Sequence, residues 1–279
     1  MKYAAPAKLN LFLHVVGRRA DGYHELQSVF TMVDFADTLA IKVRQDGQVQ
    51  RLSDLPGVPA DDDLVVRAAH LLQRESGCAL GCDISVTKRI PLGSGLGGGS
   101  SDAATTLMAL NDLWNLDYSR TELRDIGLAL GADVPFFVYG RPAFGEGVGE
   151  VLHAFDLPQW WYLVLTPPIR VSTAAVFAAK DLTRNTIPIK IADFSANGLR
   201  AVKNDLQPVV LKAFPVVDQY LQALAAVSQK SVFGARMTGS GSSVFAAFEN
   251  EIDVRAARKA LSTEYQGFVA RGMETHPLD

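Results

Sequence analysis

The chain has 279 residues, 48% of them hydrophobic and 20% charged, with a net charge of −3 at pH 7. This balance predicts a globular protein of one large or two medium domains and excludes an extended disordered chain. The mild acidity excludes a general nucleic-acid binder, and no apolar run reaches the roughly 18 residues of a membrane span.

Met1-Lys2-Tyr3-Ala4-Ala5-Pro6 lacks the apolar core of a signal peptide. Leu9, Leu11, Leu13 and Val15 alternate with Asn10, Phe12, His14 and Val16, which predicts a first strand with one strongly apolar face. Asp21-Gly22 marks a turn, and residues 25–36 and 38–44 read as two further strands. Asp61-Asp62-Asp63 caps an amphipathic helix carrying Leu64, Val65, Ala68, Leu71 and Leu72. Cys78 and Cys82 have no second ligand pair, so they predict reduced thiols in a cytoplasmic protein rather than a zinc site. A strand over 82–90 then meets a glycine-rich turn and a helix over 100–115. Ser119-Arg120-Thr121-Glu122 is a capping box for a helix that stops at Gly131.

A boundary is placed near 155, after the glycine-spaced run Phe144 to Glu150, giving domains 1–155 and 156–279. Beyond it, 161–165 reads as a strand and 173–182 and 205–228 as helices. Strands over 232–237 and 243–248 flank Gly239-Ser240-Gly241, and a helix over 251–263 and a strand over 267–271 follow. Strands with helices packed to one side predict an α+β fold rather than a doubly wound sheet.

The most informative segment is Pro91-Leu92-Gly93-Ser94-Gly95-Leu96-Gly97-Gly98-Gly99-Ser100-Ser101-Asp102. Five glycines in seven residues strip side chains from a strand-to-helix turn. The following helix offers unpaired N–H groups and a positive dipole end, so the segment reads as a phosphate cradle. It is not a P-loop, because no Lys follows its glycines. Gly93-x-Gly95-x-x-Gly98 does satisfy the dinucleotide pattern. The acidic residue at the expected distance, Asp117, lies in a loop rather than at a strand end, which counts against a nicotinamide-dependent oxidoreductase.

Three blocks resemble the three signatures of the GHMP kinase superfamily, which includes galactokinase, homoserine kinase and mevalonate kinase. They are Pro6-Ala7-Lys8-Leu9-Asn10-Leu11, Pro91 to Ser101, and Met237-Thr238-Gly239-Ser240-Gly241. Ala5 to Phe30 and Gly131-Ala132-Asp133-Val134-Pro135-Phe136-Phe137 further resemble the branch acting on 4-diphosphocytidyl-2-C-methyl-D-erythritol. The resemblance implies a two-domain architecture: an N-terminal mixed-sheet nucleotide-binding domain and a C-terminal ferredoxin-like α/β sandwich. It also implies ATP-dependent phosphorylation of the 2-hydroxyl of that substrate, in non-mevalonate isoprenoid precursor synthesis, with ATP and Mg²⁺. The alternative activity is that of another kinase of the superfamily acting on homoserine, mevalonate or a sugar. Its partners are then small molecules, with no nucleic acid and no membrane, in a monomer or homodimer.

Phosphoryl transfer needs a phosphate cradle, a proton acceptor and a cation against developing charge. Asp133, stiffened by Pro135, suits the acceptor, although an Asp there also reads as a turn cap. Lys8 either reaches water or points into a site, where it would hold Asp133 ionised or favour loss of the hydroxyl proton. Asn10, two residues on, shares its face and reads as a substrate partner. The resemblance assigns Tyr23 and His24 to the cytosine ring, with Phe177 a second stacking face or a core residue. Ser100, Ser101 and Asp102 open the helix after the loop, where a hydroxyl caps, binds phosphate or reaches Mg²⁺, Ser101 being the candidate. Gly239-Ser240-Gly241 is either a hairpin turn or a support for the substrate diphosphate. His14, His70, His153 and His276 read as structural.

Overall fold

A computed structural model describes residues 1–279. The first half holds β1 (Lys2–Arg18), β2 (His24–Arg44), β3 (Val49–Arg51), α1 (Leu64–Ser76), β4 (Gly81–Thr87), α2 (Gly98–Leu113), α3 (Arg120–Leu128), α4 (Val134–Tyr139), β5 (Ala143–Glu146) and β6 (Val151–Ala154). The second holds β7 (Trp161–Leu165), α5 (Thr173–Ala178), α6 (Gln207–Ala213), α7 (Pro215–Val227), β8 (Arg236–Met237), β9 (Val244–Phe248), α8 (Glu251–Ala260) and β10 (Gly267–Met273).

Strand β2 is the pivot of the sheet. It pairs antiparallel with β1, β4 and β5, and through Met32 and Val33 with β10. From β10 the sheet continues antiparallel through β7 and β9 to β8, so the two halves share one ten-stranded sheet. Between strands, pairing is parallel only where β3 joins β4, and Leu13 makes an isolated parallel bridge to Asn204.

Three apolar clusters fix this arrangement. Helices α1, α2 and α4 bury Val65, Leu72, Leu107, Leu110, Phe136 and Phe137 against β2 and β4. Helices α6, α7 and α8 bury Val210, Val217, Leu224 and Val254 against Leu163, Val244 and Phe248. The third cluster joins the halves, placing Leu9, Leu11 and Phe12 against Tyr162, Val164 and Phe245. Fully burying side chains of this size stabilises by roughly 1.5–3 kcal/mol each, so the junction is a core rather than a hinge.

Several elements differ from the sequence expectation. The polar face of β1 is not solvated: Lys8, Asn10 and His14 are buried as thoroughly as Leu9 and Leu11. The two strands expected over 25–36 and 38–44 are one, since β1 keeps pairing through Ala36, Asp37 and Thr38, where β4 joins. A bulge absorbs Asp34 and Phe35, with Asp34 accepting from the Arg271 N–H and Phe35 stacking on Phe268. The helix expected over 205–228 is two, because Phe214 leaves helical geometry ahead of Pro215, which has no N–H to continue the ladder. Helix α5 ends at Ala178 rather than 182. The capping box at Ser119 and Glu122 and the Asp63 cap of α1 form as expected.

Candidate active site

The glycine loop leaves β4 and enters α2 as an open nest of donors. The N–H groups from Gly95 through Ser100 donate to no group of the chain, and they sit at the positive end of α2. Carbonyls of the same loop are used to fix its path: Leu96 O accepts from the Lys8 N–H, Ser94 O from Ser243 and Gly93 O from Val171. Two glycines are required by close approach at positive φ. A Cβ on Gly97 would stand 2.9 Å from Lys8 Cγ, and one on Gly95 would stand 2.5 Å from the Thr238 carbonyl oxygen. The loop is therefore held between the first and third signature blocks. Ser101 Oγ is fully buried and has no partner, and no side chain caps α2.

Lys8 is 4% exposed, and its Nζ lies 3.3 Å from Asp133 Oδ2. It also donates to Asn10 Oδ1. Asn10 is fixed in turn: its Nδ2 donates to Ser28 Oγ at 2.9 Å, and its N–H donates to Thr238 Oγ1 at 2.8 Å. Asp133 occupies the position ahead of α4 but makes no capping bond, so the turn-cap reading does not account for it. Its half-exposed carboxylate faces the cavity instead. A buried cation, a carboxylate and an amide thus converge at one point.

That point is the floor of a cavity of about 400 Å³. Its walls include Lys8, Asn10, Asp133, Phe177, the glycine loop and Gly239-Ser240-Gly241. The last three residues form a tight turn, with Gly241 N–H donating to Thr238 O at 3.0 Å. Asn204 Nδ2 holds the carbonyls of Met237 and Gly239 at 2.9 and 2.8 Å, and Ser240 Oγ lies 2.6 Å from Thr173 Oγ1. The same three residues are thus both a tight turn and part of the cavity wall.

Sequence reasoning missed the ionic brace beneath the loop. Lys88 Nζ lines the cavity and bonds the carboxylates of Asp37 and, at 2.7 Å, Asp102. Asp37 is fully buried and also accepts the N–H groups of Arg89 and Ile90, fixing the chain where it enters the loop. Burial pushes the Asp102 carboxyl upward, with Lys88 opposing it; burial pushes Lys88 down, but the two carboxylates outweigh it. The adjacent basic pair Lys88-Arg89 was the only local signal. Asn204 had none, whereas Ser28 and Thr238 fall within the stretches that carry the family resemblance.

The aromatic group is divided. His24 is the first residue of β2, one residue ahead of the strand start expected at 25, buried and stacked on Phe177 with centroids 5.0 Å apart. Phe177 touches the second apolar cluster and also lines the main cavity. Tyr23 stands apart from that cavity, 64% exposed on a neighbouring hollow of about 430 Å³. The two hollows adjoin at Ala132 and Val148.

A glycine nest, a buried lysine paired with an aspartate and a third glycine turn on an α+β sheet define a class, the GHMP kinases. Residues 63–141 match the GHMP kinases N terminal domain and residues 179–267 the GHMP kinases C terminal domain, and the chain belongs to this family. It is 55% identical over 276 residues to the 4-diphosphocytidyl-2-C-methyl-D-erythritol kinase of Thiobacillus denitrificans, covering 99% of this chain and 96% of that protein. Its identity to the kinase of the same name from Burkholderia mallei is 53% over 281 residues, covering 98% and 94%. A crystal structure of 4-(cytidine 5'-diphospho)-2C-methyl-D-erythritol kinase superposes with a TM-score of 0.83 at 34% identity, covering 98% and 99% of the two chains. The two-domain α+β architecture expected from the sequence is the one found, and the chain is a kinase. No helix is long and apolar enough to cross a membrane.

Proposed function

We propose that this kinase transfers the γ-phosphoryl group of ATP to the 2-hydroxyl of 4-diphosphocytidyl-2-C-methyl-D-erythritol, a step toward isoprenoid precursors. The observation carrying this reading is the Lys8–Asp133 pair, 3.3 Å apart in the same cavity as the open N–H nest. The substrate class follows from the relatives' names.

The nest of Gly95 to Ser100 binds the ATP phosphates, with Lys88 as a further cation on the cavity wall. Asn10, held by Ser28 and Thr238, orients the accepting hydroxyl. That hydroxyl oxygen forms a bond to the γ-phosphorus as the bond to the β,γ-bridging oxygen breaks, and ADP leaves. The hydroxyl proton passes to an Asp133 carboxylate oxygen. Lys8 offsets the negative charge spreading over the transferring group and keeps the Asp133 carboxylate in place. Mg²⁺ on the phosphates would neutralise further charge; Ser101 Oγ is partnerless but fully buried and off the cavity lining, whereas its neighbour Ser100 lines the cavity. An ion held through substrate phosphates needs no carboxylate cage, and the chain offers no cluster of acidic or imidazole ligands.

The cytidyl group lies along Phe177 of the main cavity and its stacking partner His24, with Tyr23 on the adjoining hollow. The domain boundary is placed at 155–156, between β6 and β7. Two unpaired thiols, Cys78 and Cys82, fit the reducing cytoplasm. The test is ADP release with 4-diphosphocytidyl-2-C-methyl-D-erythritol beside mevalonate, homoserine and galactose. Release with the cytidyl substrate alone is expected. Faster release with any of the other three would reassign the enzyme within its family.

A further inference from the structure

Arg184 lies after α5 and spends every arm of its guanidinium on groups around Phe177, a residue of the cavity wall. One terminal nitrogen donates to the carbonyls of Phe177 and Ala179, at 2.9 and 2.7 Å, and the other to Leu182 O at 3.1 Å. Phe177 and Ala179 lie at the C-terminal end of α5, where helix carbonyls favour a cation, and Leu182 lies just beyond it. The remaining nitrogen, Nε, donates to His24 Nε2 at 3.0 Å.

A guanidinium has donors only. The His24 Nε2 it meets must therefore present a lone pair, which leaves the single ring proton on Nδ1. A protonated ring is disfavoured in the same place: burial first, then Arg184 and Arg18, hold His24 below its ordinary value. Stacking on Phe177 fixes the plane of the ring as Arg184 fixes its tautomer.

His24 Nδ1 has no hydrogen-bond partner in the chain and, unlike His14 Nδ1, is not sealed from solvent. It is thus a donor of fixed direction beside Phe177, a residue of the cavity wall. Cytosine and uracil differ at one ring atom in a way such a donor can read. N3 of cytosine accepts a hydrogen bond, whereas N3 of uracil carries a hydrogen. A donor set against N3 pairs with the first base and meets a second donor in the other.

We propose that Arg184, by holding His24 as its Nδ1–H tautomer against N3 of the base, sets the preference for cytidyl over uridyl substrates. This rests on the cytidyl reading above. Arg184 is a positioning residue, acting through His24.

The test compares wild type with Arg184→Met, which has no donor, and Arg184→Lys, which keeps one. Each is assayed for kcat/KM on the cytidyl substrate and on its uridyl analogue, with KM for ATP as the control. Wild type is expected to favour the cytidyl form by about tenfold or more, the usual worth of leaving a donor unpaired. Arg184→Met should bring the two substrates within about threefold at an unchanged KM for ATP, and Arg184→Lys should restore much of the gap. The ¹⁵N shifts of the wild-type His24 ring should show a protonated Nδ1 and a bare Nε2. A protonated Nε2, or undiminished discrimination in a folded Arg184→Met protein, would overturn the proposal. A wild type that accepts both bases equally would instead remove the cytidyl reading, and the proposal with it, even if the ring shifts came out as expected.

Discussion

Lys88 Nζ and Asp102 Oδ2 lie 2.7 Å apart across the two ends of the glycine loop, one residue before it and the other just inside α2. Their bond closes the loop into a ring, and Asp37 ties that ring to β2. The cradle is therefore shaped before nucleotide arrives, which reduces the ordering that binding must cost.

Gly98 tests that shape. A Cβ there would stand 2.9 Å from Ile90 Cγ2 and 3.2 Å from Lys88 Nζ. Gly98→Val should raise the Kd for ATP by at least about tenfold by displacing both the nest and the brace, while the cytidyl substrate still binds. Calorimetric titration of each ligand checks this; an unchanged ATP affinity in a folded variant would remove the loop from phosphate binding.

Lys8 and Asp133 should act as a unit. Lys8→Met is expected to lower kcat by about 10²-fold or more with little change in KM, because its charge matters most as the transferring group gains charge. The double variant Lys8→Met/Asp133→Asn should fall far short of the product of the single losses. Steady-state kinetics of the four proteins gives the coupling directly, and full additivity would separate the two roles.

Tyr23 makes the opposite prediction. Its ring is largely exposed and belongs to no apolar cluster, so Tyr23→Ala should leave Tm within a degree or two. If the ring stacks on the base, substrate affinity should fall by about 1–3 kcal/mol with ATP affinity intact. Equal losses for both ligands would take Tyr23 out of the cytidyl site.

Much of this site was legible because its signals are short. Lys8 and Asn10 fall two residues apart on one strand, and the loop's glycines fall within one turn, so local spacing was enough to group them. The brace and the histidine clamp were not legible. Asp37 meets Lys88 from 51 residues away and His24 meets Arg184 from 160, distances that spacing does not encode. Strand β2 was split in the reading because Asp34 and Asp37 interrupt its apolar pattern. In the structure one caps a bulge and the other holds the loop, so both polar positions have structural reasons of their own. The polar face of β1 is closed over for a related reason: the cavity buries Lys8 and Asn10 nearly as completely as a core buries leucine.

His276 predicts an acid limit on stability. It is buried between α2 and the chain's last residues, with Nδ1 accepting from the Leu278 N–H and Nε2 3.4 Å from Thr105 Oγ1. Burial, helped by Arg120, lowers its pKa to about 4. The unfolded chain therefore binds this proton more tightly. The neutral ring's contribution is fully present above the ordinary histidine value of about 6.5 and is lost as pH falls toward 4. Over that window wild type should lose on the order of 3 kcal/mol more than His276→Gln. Urea unfolding at several pH values measures it, and parallel curves for the two proteins would refute it.

The central claim is that Asp133 takes the proton of the accepting hydroxyl. Its most direct test is the phosphorylation rate of Asp133→Asn under saturating ATP and 4-diphosphocytidyl-2-C-methyl-D-erythritol. The variant removes a charge and a proton acceptor but keeps the shape of the carboxylate. Turnover should fall by roughly 10²–10⁴, with ATP affinity and Tm close to wild type. A folded Asp133→Asn protein that phosphorylates its substrate at the wild-type rate would contradict the account.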